Sequence, residues 1–302
     1  MPWSPTLHRC VERLRTASET PRDQLLVAQA QMQRLADEMA LSPWRNPDVA
    51  GETGADVSPA FYIRSMSARL EDIVMGVGDP EIAQCRESTP PHLPVDPAYG
   101  QPRPARLTLL PVVPLRRTQQ TAQLAINELI LHCPLPTHDT SHLPHLHATL
   151  SSVRAWFDTF FSTPPTHHAA SPFSSYGGFL LACQTLHRLT LLECEGWDRG
   201  AVRGVADLLG ILDRTADVLG EVPRSMGMDG GEEEEGEGEN LFSRAAKLLR
   251  GQRAACAAVL EAEGGASERV GGDAEAPIDF GIMEFEEGFW TADMFGGAWM
   301  GL

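Results

Sequence analysis

Residues 198–219 read DRGAVRGVADLLGILDRTADVL, and their apolar members Val202, Val205, Leu209, Leu212, Ala216 and Leu219 recur at alternating intervals of three and four. That spacing lays one apolar stripe along an α-helix. Asp198 stands at the N-cap position, where a carboxylate accepts from the free N–H groups of the first turn. The spacing therefore predicts one helix over 198–219.

Upstream, the same grammar recurs. Ser4-Pro5, Thr20-Pro21 and Ser58-Pro59 each pair a capping hydroxyl with a proline at the first helical position. Behind them Leu7, Cys10, Val11 and Leu14, then Leu25, Ala28, Met32, Leu35, Ala36 and Met39, then Tyr62, Ile63, Met66, Leu70, Ile73 and Val74 are expected to point inward. A fourth helix is expected from about Leu115 to His132, with Ala122, Ala125, Ile126 and Leu129 inward. Two bulky stripes follow: Leu146, Leu150, Val153, Phe157, Phe160 and Phe161, stopped by Pro164-Pro165, and Phe179, Ala182, Cys183, Leu186, Leu189 and Thr190. Phe242, Ala245, Leu249, Cys256 and Leu260 mark a last helix. The run Leu107 to Leu115 has β character, but Pro111 and Pro114 within it argue against a strand.

The predicted fold is all-α, an irregular helical domain with Pro-rich and acidic linkers and a disordered acidic tail. Residues 1–86 carry the N-terminal helices, 87–114 a Pro-rich linker or insertion, and 115–220 the main helical domain. Residues 221–240 are an acidic linker with Glu at 232–235, 237 and 239, 241–263 a C-terminal helix and 264–302 the tail.

Composition excludes several functions. The 302 residues carry a formal charge of −17, so the overall field repels phosphate and leaves no electrostatic footprint for nucleic acid. Of the 24 basic residues only Lys247 is lysine, which we read as coding bias. The 6 cysteines are scattered without a C-x-x-C pair, as expected of reduced thiols serving as small hydrophobes. No signal-peptide pattern opens the chain and no apolar run approaches the ~20 residues that span a bilayer, so a soluble protein without a membrane partner is expected.

His138, His142, His145 and His147 fall close together, but in a Pro-rich stretch read as a solvated loop, so no metal site is expected. No G-x-S-x-G elbow, H-E-x-x-H helix, P-loop or dinucleotide fingerprint occurs. The chain is therefore expected not to be an enzyme: no catalytic residue and no cofactor-binding residue is assigned.

The tail has a chemistry of its own. From Asp273 to Leu302 it carries seven acidic residues and no basic one, interleaved with Phe280, Ile282, Phe285, Phe289, Trp290, Phe295 and Trp299. Repulsion among carboxylates opposes collapse and keeps the rings available. A helix induced on a partner would set Phe285, Phe289 and Trp290 on one side. The other reading docks Trp290 and Trp299 on the chain's own helices, making the protein an interaction scaffold with a self-docking tail.

Trp156-Phe157-Asp158 and Phe160 before Pro164-Pro165, Leu186-x-x-Leu189, Trp197-Asp198-Arg199-x-x-Val202-Arg203, Asp207-Leu208-Leu209 and Leu212-Asp213-Arg214 succeed one another in an unusual order. With Leu25, Leu26, Val27, Gln31 and the acidic aromatic tail, this succession resembles the regulatory and activation region of fungal binuclear zinc-cluster transcription factors. The resemblance implies a nuclear regulator of RNA polymerase II transcription, with a helical regulatory domain that either modulates activity or homodimerises or pairs with a related factor. It also implies that Phe285, Phe289, Trp290, Phe295 and Trp299 contact transcriptional coactivators. The family's six closely spaced zinc-binding cysteines have no counterpart in Cys10 to Cys256. Zinc is accordingly expected only in a segment missing here, and DNA is reached indirectly or through that segment. Either truncation or a natural partner that does not touch DNA fits that departure, and the Pro-rich insertion could be intron sequence.

Overall fold

The first helix begins where Ser4 Oγ accepts the Leu7 N–H at 3.1 Å, with Pro5 fixing φ in the first turn. In the computed structural model, which describes residues 3–45, 58–77, 112–133, 140–171, 174–227 and 240–266, this is α1, Pro5–Ala17. It ends at Ser18, whose left-handed φ of 39° lets its N–H reach Leu14 O at 2.9 Å. Helix α2 spans Pro21–Ala40, and Asp23 closes its start by accepting the Thr20 N–H at 2.9 Å. Helix α3, Pro59–Met75, starts at Ser58-Pro59 without a side-chain cap bond from Ser58.

Helix α4 runs Val112–Glu128 and tightens into a 3-10 turn, Leu129–His132. It begins three residues before the expected Leu115. Pro114 is tolerated because N–H groups in the first turn have no intrahelical acceptor to lose. A 3-10 turn, Thr140–His142, leads into α5, Leu143–Ser162; α6, Pro165–Ala169, and α7, Ser174–Leu191, follow. Helices α8, Arg199–Val205, α9, Leu208–Ser225, and α10, Leu241–Ala266, complete the order. The fold is all-α, and no strand occurs among the described residues.

Two compact units divide the chain. In the first, formed by residues 1–160, 172–185 and 193–197, α4 packs against α2 and α3, and α1 lies on α2. Leu115, Ala122, Leu124, Ala125, Ile126 and Leu129 are all buried, and Arg117 and Glu128 are buried with them, so α4 occupies the interior of this unit although its sequence is rich in polar residues. Met32, Leu35 and Met39 of α2 and Ile63, Met66 and Leu70 of α3 are buried too. Each fully buried side chain of this size contributes about 1.5–3 kcal/mol. Helix α1 departs from expectation: Val11 is buried, but Leu7 and Cys10 are exposed. Lying against α2, it has an apolar stripe wider than the part that is covered.

The second unit comprises residues 161–171, 186–192 and 198–302. Helices α9 and α10 pack on each other and α6 packs on α9. Asp213 meets Arg253 at 3.1 Å and Asp217 meets Arg250 at 3.4 Å, so the numbering rises along α9 as it falls along α10: the pair is antiparallel. The buried face combines Leu208, Leu212, Ala216, Leu219 and Val222 with Ala245, Ala246, Leu249 and Cys256. The expected single helix over 198–219 is instead two, α8 and α9. Asp207 accepts from Leu209 N at 3.2 Å and Gly210 N at 3.1 Å and so caps a new helix where the periodicity predicted none. The break turns Val205, expected inward, toward solvent. Asp198 caps α8 as expected, accepting from Gly200 N at 2.8 Å and Ala201 N at 3.1 Å.

Candidate functional site

In the first unit the aromatic side chains converge. Trp156 stacks on Phe160 with centroids 5.5 Å apart, and Phe157 meets Phe179 edge to face at 6.2 Å. The Arg117 guanidinium lies over Phe160 at 5.4 Å. Polar bonds fix α4 against α5: Trp156 Nε1 donates to Thr121 Oγ1 at 3.1 Å, Gln120 Nε2 to Thr159 Oγ1 at 2.7 Å and Asn127 Nδ2 to Ser152 Oγ at 2.8 Å. Burial pushes the Tyr176 hydroxyl up to about 12, against the opposing influence of Arg117. Burial also draws the Arg117 guanidinium below its ordinary range, partly offset by Tyr176. These groups build a core crossed by a polar seam, in which Gln120 Nε2 is bonded while Gln120 Oε1 is buried without a hydrogen-bond partner.

A second cluster joins segments distant in sequence. Arg45 Nη2 pairs with Glu128 Oε2, and Arg45 Nε lies 3.2 Å from His132 Nε2, which is also 3.2 Å from Glu128 Oε1. The Glu128 side chain is 3% exposed and that of Arg45 21%. The pair pins the turn after α2 to the end of α4. No local pattern could reveal it, since its members stand 83 positions apart.

Two concavities open on the units. A cleft of about 340 Å³ in the first is lined by α1, α2 and α3, with Arg15, Gln24, Gln31 and Asp72 as its polar groups. A groove of about 610 Å³ in the second runs between α9 and α10 and carries Arg214, Arg224, Lys247 and Arg250 against Asp217 and Glu221. Their only local signal was Lys247 and Arg250 at i, i+3, because the groove needs α9 and α10 side by side.

His138 lies outside the described residues, and the described part of the histidine segment, residues 140–147, is not the solvated loop expected. Within it His142 is buried at the 3-10 turn, while His145 and His147 stand on α5. Pro144 falls in the first turn of α5, where proline is tolerated, so this proline stands at the start of a helix instead of preventing one. His147 packs on Trp197 with centroids 5.1 Å apart. Among the described residues no group of three His, Cys, Asp or Glu side chains could hold a metal ion. Burial pushes the Cys133 thiol up to about 11 and raises Cys194 and Cys256, which disfavours the reactive thiolate. The residues expected to meet a partner, Phe285, Phe289, Trp290, Phe295 and Trp299, lie outside the described residues. No described helix is long and apolar enough to cross a membrane.

Residues 165–301 match the family model ATEG07667_C, described as a C-terminal domain, which takes in α6 to α10 and the tail. The resemblance to fungal transcription factors is then carried by a particular relative. The chain is 26% identical over 230 residues to transcription factor opdL of Penicillium oxalicum, an alignment covering 75% of this chain. It spans 35% of that relative's length. No solved structure matches the chain.

Proposed function

We propose that this chain is the regulatory and activation part of a fungal transcription factor of the zinc-cluster type, acting in the nucleus on RNA polymerase II transcription. The observation that carries this reading is the likeness to a fungal transcription factor over 75% of the chain. The helical units supply the regulatory body, which homodimerises or pairs with a related factor, and the tail recruits transcriptional coactivators through Phe285, Phe289, Trp290, Phe295 and Trp299. DNA is reached indirectly or through a zinc cluster outside this chain, which itself holds no cofactor and catalyses no reaction.

Fusing residues 264–302 to a heterologous DNA-binding domain tests the reading in a reporter assay. The segment is expected to activate, and replacing the five aromatic residues by alanine is expected to lower output at least about tenfold. Silence of the unmutated fusion would overturn the assignment.

A further inference from the structure

The α9–α10 groove is cationic on a chain of net charge −17. Its four cations face two carboxylates, and Arg250 is already shared with Asp217 at 3.4 Å while Arg214 lies over Phe161 at 4.1 Å. An acidic protein that gathers cations into one groove offers a docking surface for carboxylates.

This chain contains a matching ligand. Residues 273–302 carry seven carboxylates and no cation. The family model extends from residue 165 to residue 301, so the similarity that includes the groove-forming helices also includes the tail. The distance is within reach. From Ala266, where α10 ends, back to Lys247 is roughly 28 Å at ~1.5 Å per residue. An extended chain covers that in roughly nine residues. Asp279, Glu284, Glu286 and Glu287 all lie farther than that from Ala266 along the tail.

We propose that the groove formed by Arg214, Arg224, Lys247 and Arg250 binds the chain's own acidic tail through the carboxylates between Asp279 and Glu287. The bound tail then presents Phe285 to the helices and withholds it from a coactivator. This regulatory meaning rests on reading the tail as an activation segment, whereas the contact itself does not.

Lys247 is the only lysine in the chain and it lines the groove, so a carbodiimide, which joins a carboxylate to an amine, reports directly on the occupant. The full chain, isotopically mixed to mark intermolecular products, is cross-linked at low ionic strength and mapped by mass spectrometry. The expected product joins Lys247 to Asp279, Glu284, Glu286 or Glu287 of the same chain. Its yield is expected to fall at least about fivefold in salt near 0.5 M, where the screening length is only a few Å. A comparable fall is expected when Arg214, Arg224 and Arg250 are changed to glutamine with helix content retained. Coupling only to Glu232–Glu239, to α9 carboxylates or to a second copy would overturn the proposal, as would a yield indifferent to salt and to the arginine changes. The reporter fusion of residues 264–302 lacks the groove, so activation and docking fail or succeed separately.

Discussion

Trp156 Nε1 donates to Thr121 Oγ1 at 3.1 Å directly beneath Gly178. A Cβ at Gly178 would lie 3.1 Å from the indole nitrogen and closer still to the threonine hydroxyl. Helices α4, α5 and α7 thus approach at a point that leaves no room for a side chain.

Two effects of Gly178→Ala oppose one another. Alanine favours a helix interior by about 1 kcal/mol. Overpacking a closed site costs about 1–3 kcal/mol, and here it also displaces the acceptor of a buried indole. The clash is expected to win, lowering stability by about 1–2 kcal/mol in chemical denaturation. Thr121→Ala removes the nearest colliding atom, the threonine hydroxyl, which is also the acceptor, so the double variant is expected to be less destabilised than the sum of the single ones. Strict additivity would show that positions 121 and 178 do not share this contact.

Arg45 and Glu128 give a second test. Removing Arg45 leaves a carboxylate that is almost fully buried without its principal counterion. A buried pair broken in this way loses about 3–5 kcal/mol, and the partial exposure of Arg45 reduces the expectation to about 2–3. Arg45→Ala should show that loss in chemical denaturation. Arg45→Ala combined with Glu128→Leu should recover part of it, since no orphan charge remains. A double variant no more stable than Arg45→Ala would mean that the pair contributes shape and not charge compensation.

His187 sets a pH dependence. Burial lowers its pKa below the ordinary 6.5. Above that pH neither the folded nor the unfolded chain protonates it, and the residue has no effect. As pH falls below 6.5 the unfolded chain binds a proton that the folded chain refuses, so stability drops. His187→Gln is expected to make the decline between pH 6.5 and 5 shallower by at most about 1.4 kcal/mol per pH unit. Parallel thermal-unfolding profiles for the two proteins would show that His187 does not carry this linkage.

Local sequence rules place most of the helices and the faces they bury. Ser4-Pro5, Thr20-Pro21, Ser58-Pro59 and Asp198 mark starts because capping and proline geometry act over three or four residues. Phe179, Ala182, Cys183, Leu186, Leu189 and Thr190 are all buried, as their spacing required. The all-α class followed from the same local periodicity.

Tertiary structure decided the rest. Leu7 follows the helical pattern yet is exposed, because periodicity states which face is apolar and not how much of it a neighbour covers. The break at Asp207 interrupts an apolar stripe that read as continuous, because a capping carboxylate and a mid-helix aspartate look alike until the backbone chooses. The Arg45–Glu128 pair, the Thr121–Trp156–Gly178 contact and the cationic groove each join segments that no local rule connects. Such sites arise only when packing brings distant side chains together, so the chain's local propensities specified its helices and their packing specified its surfaces.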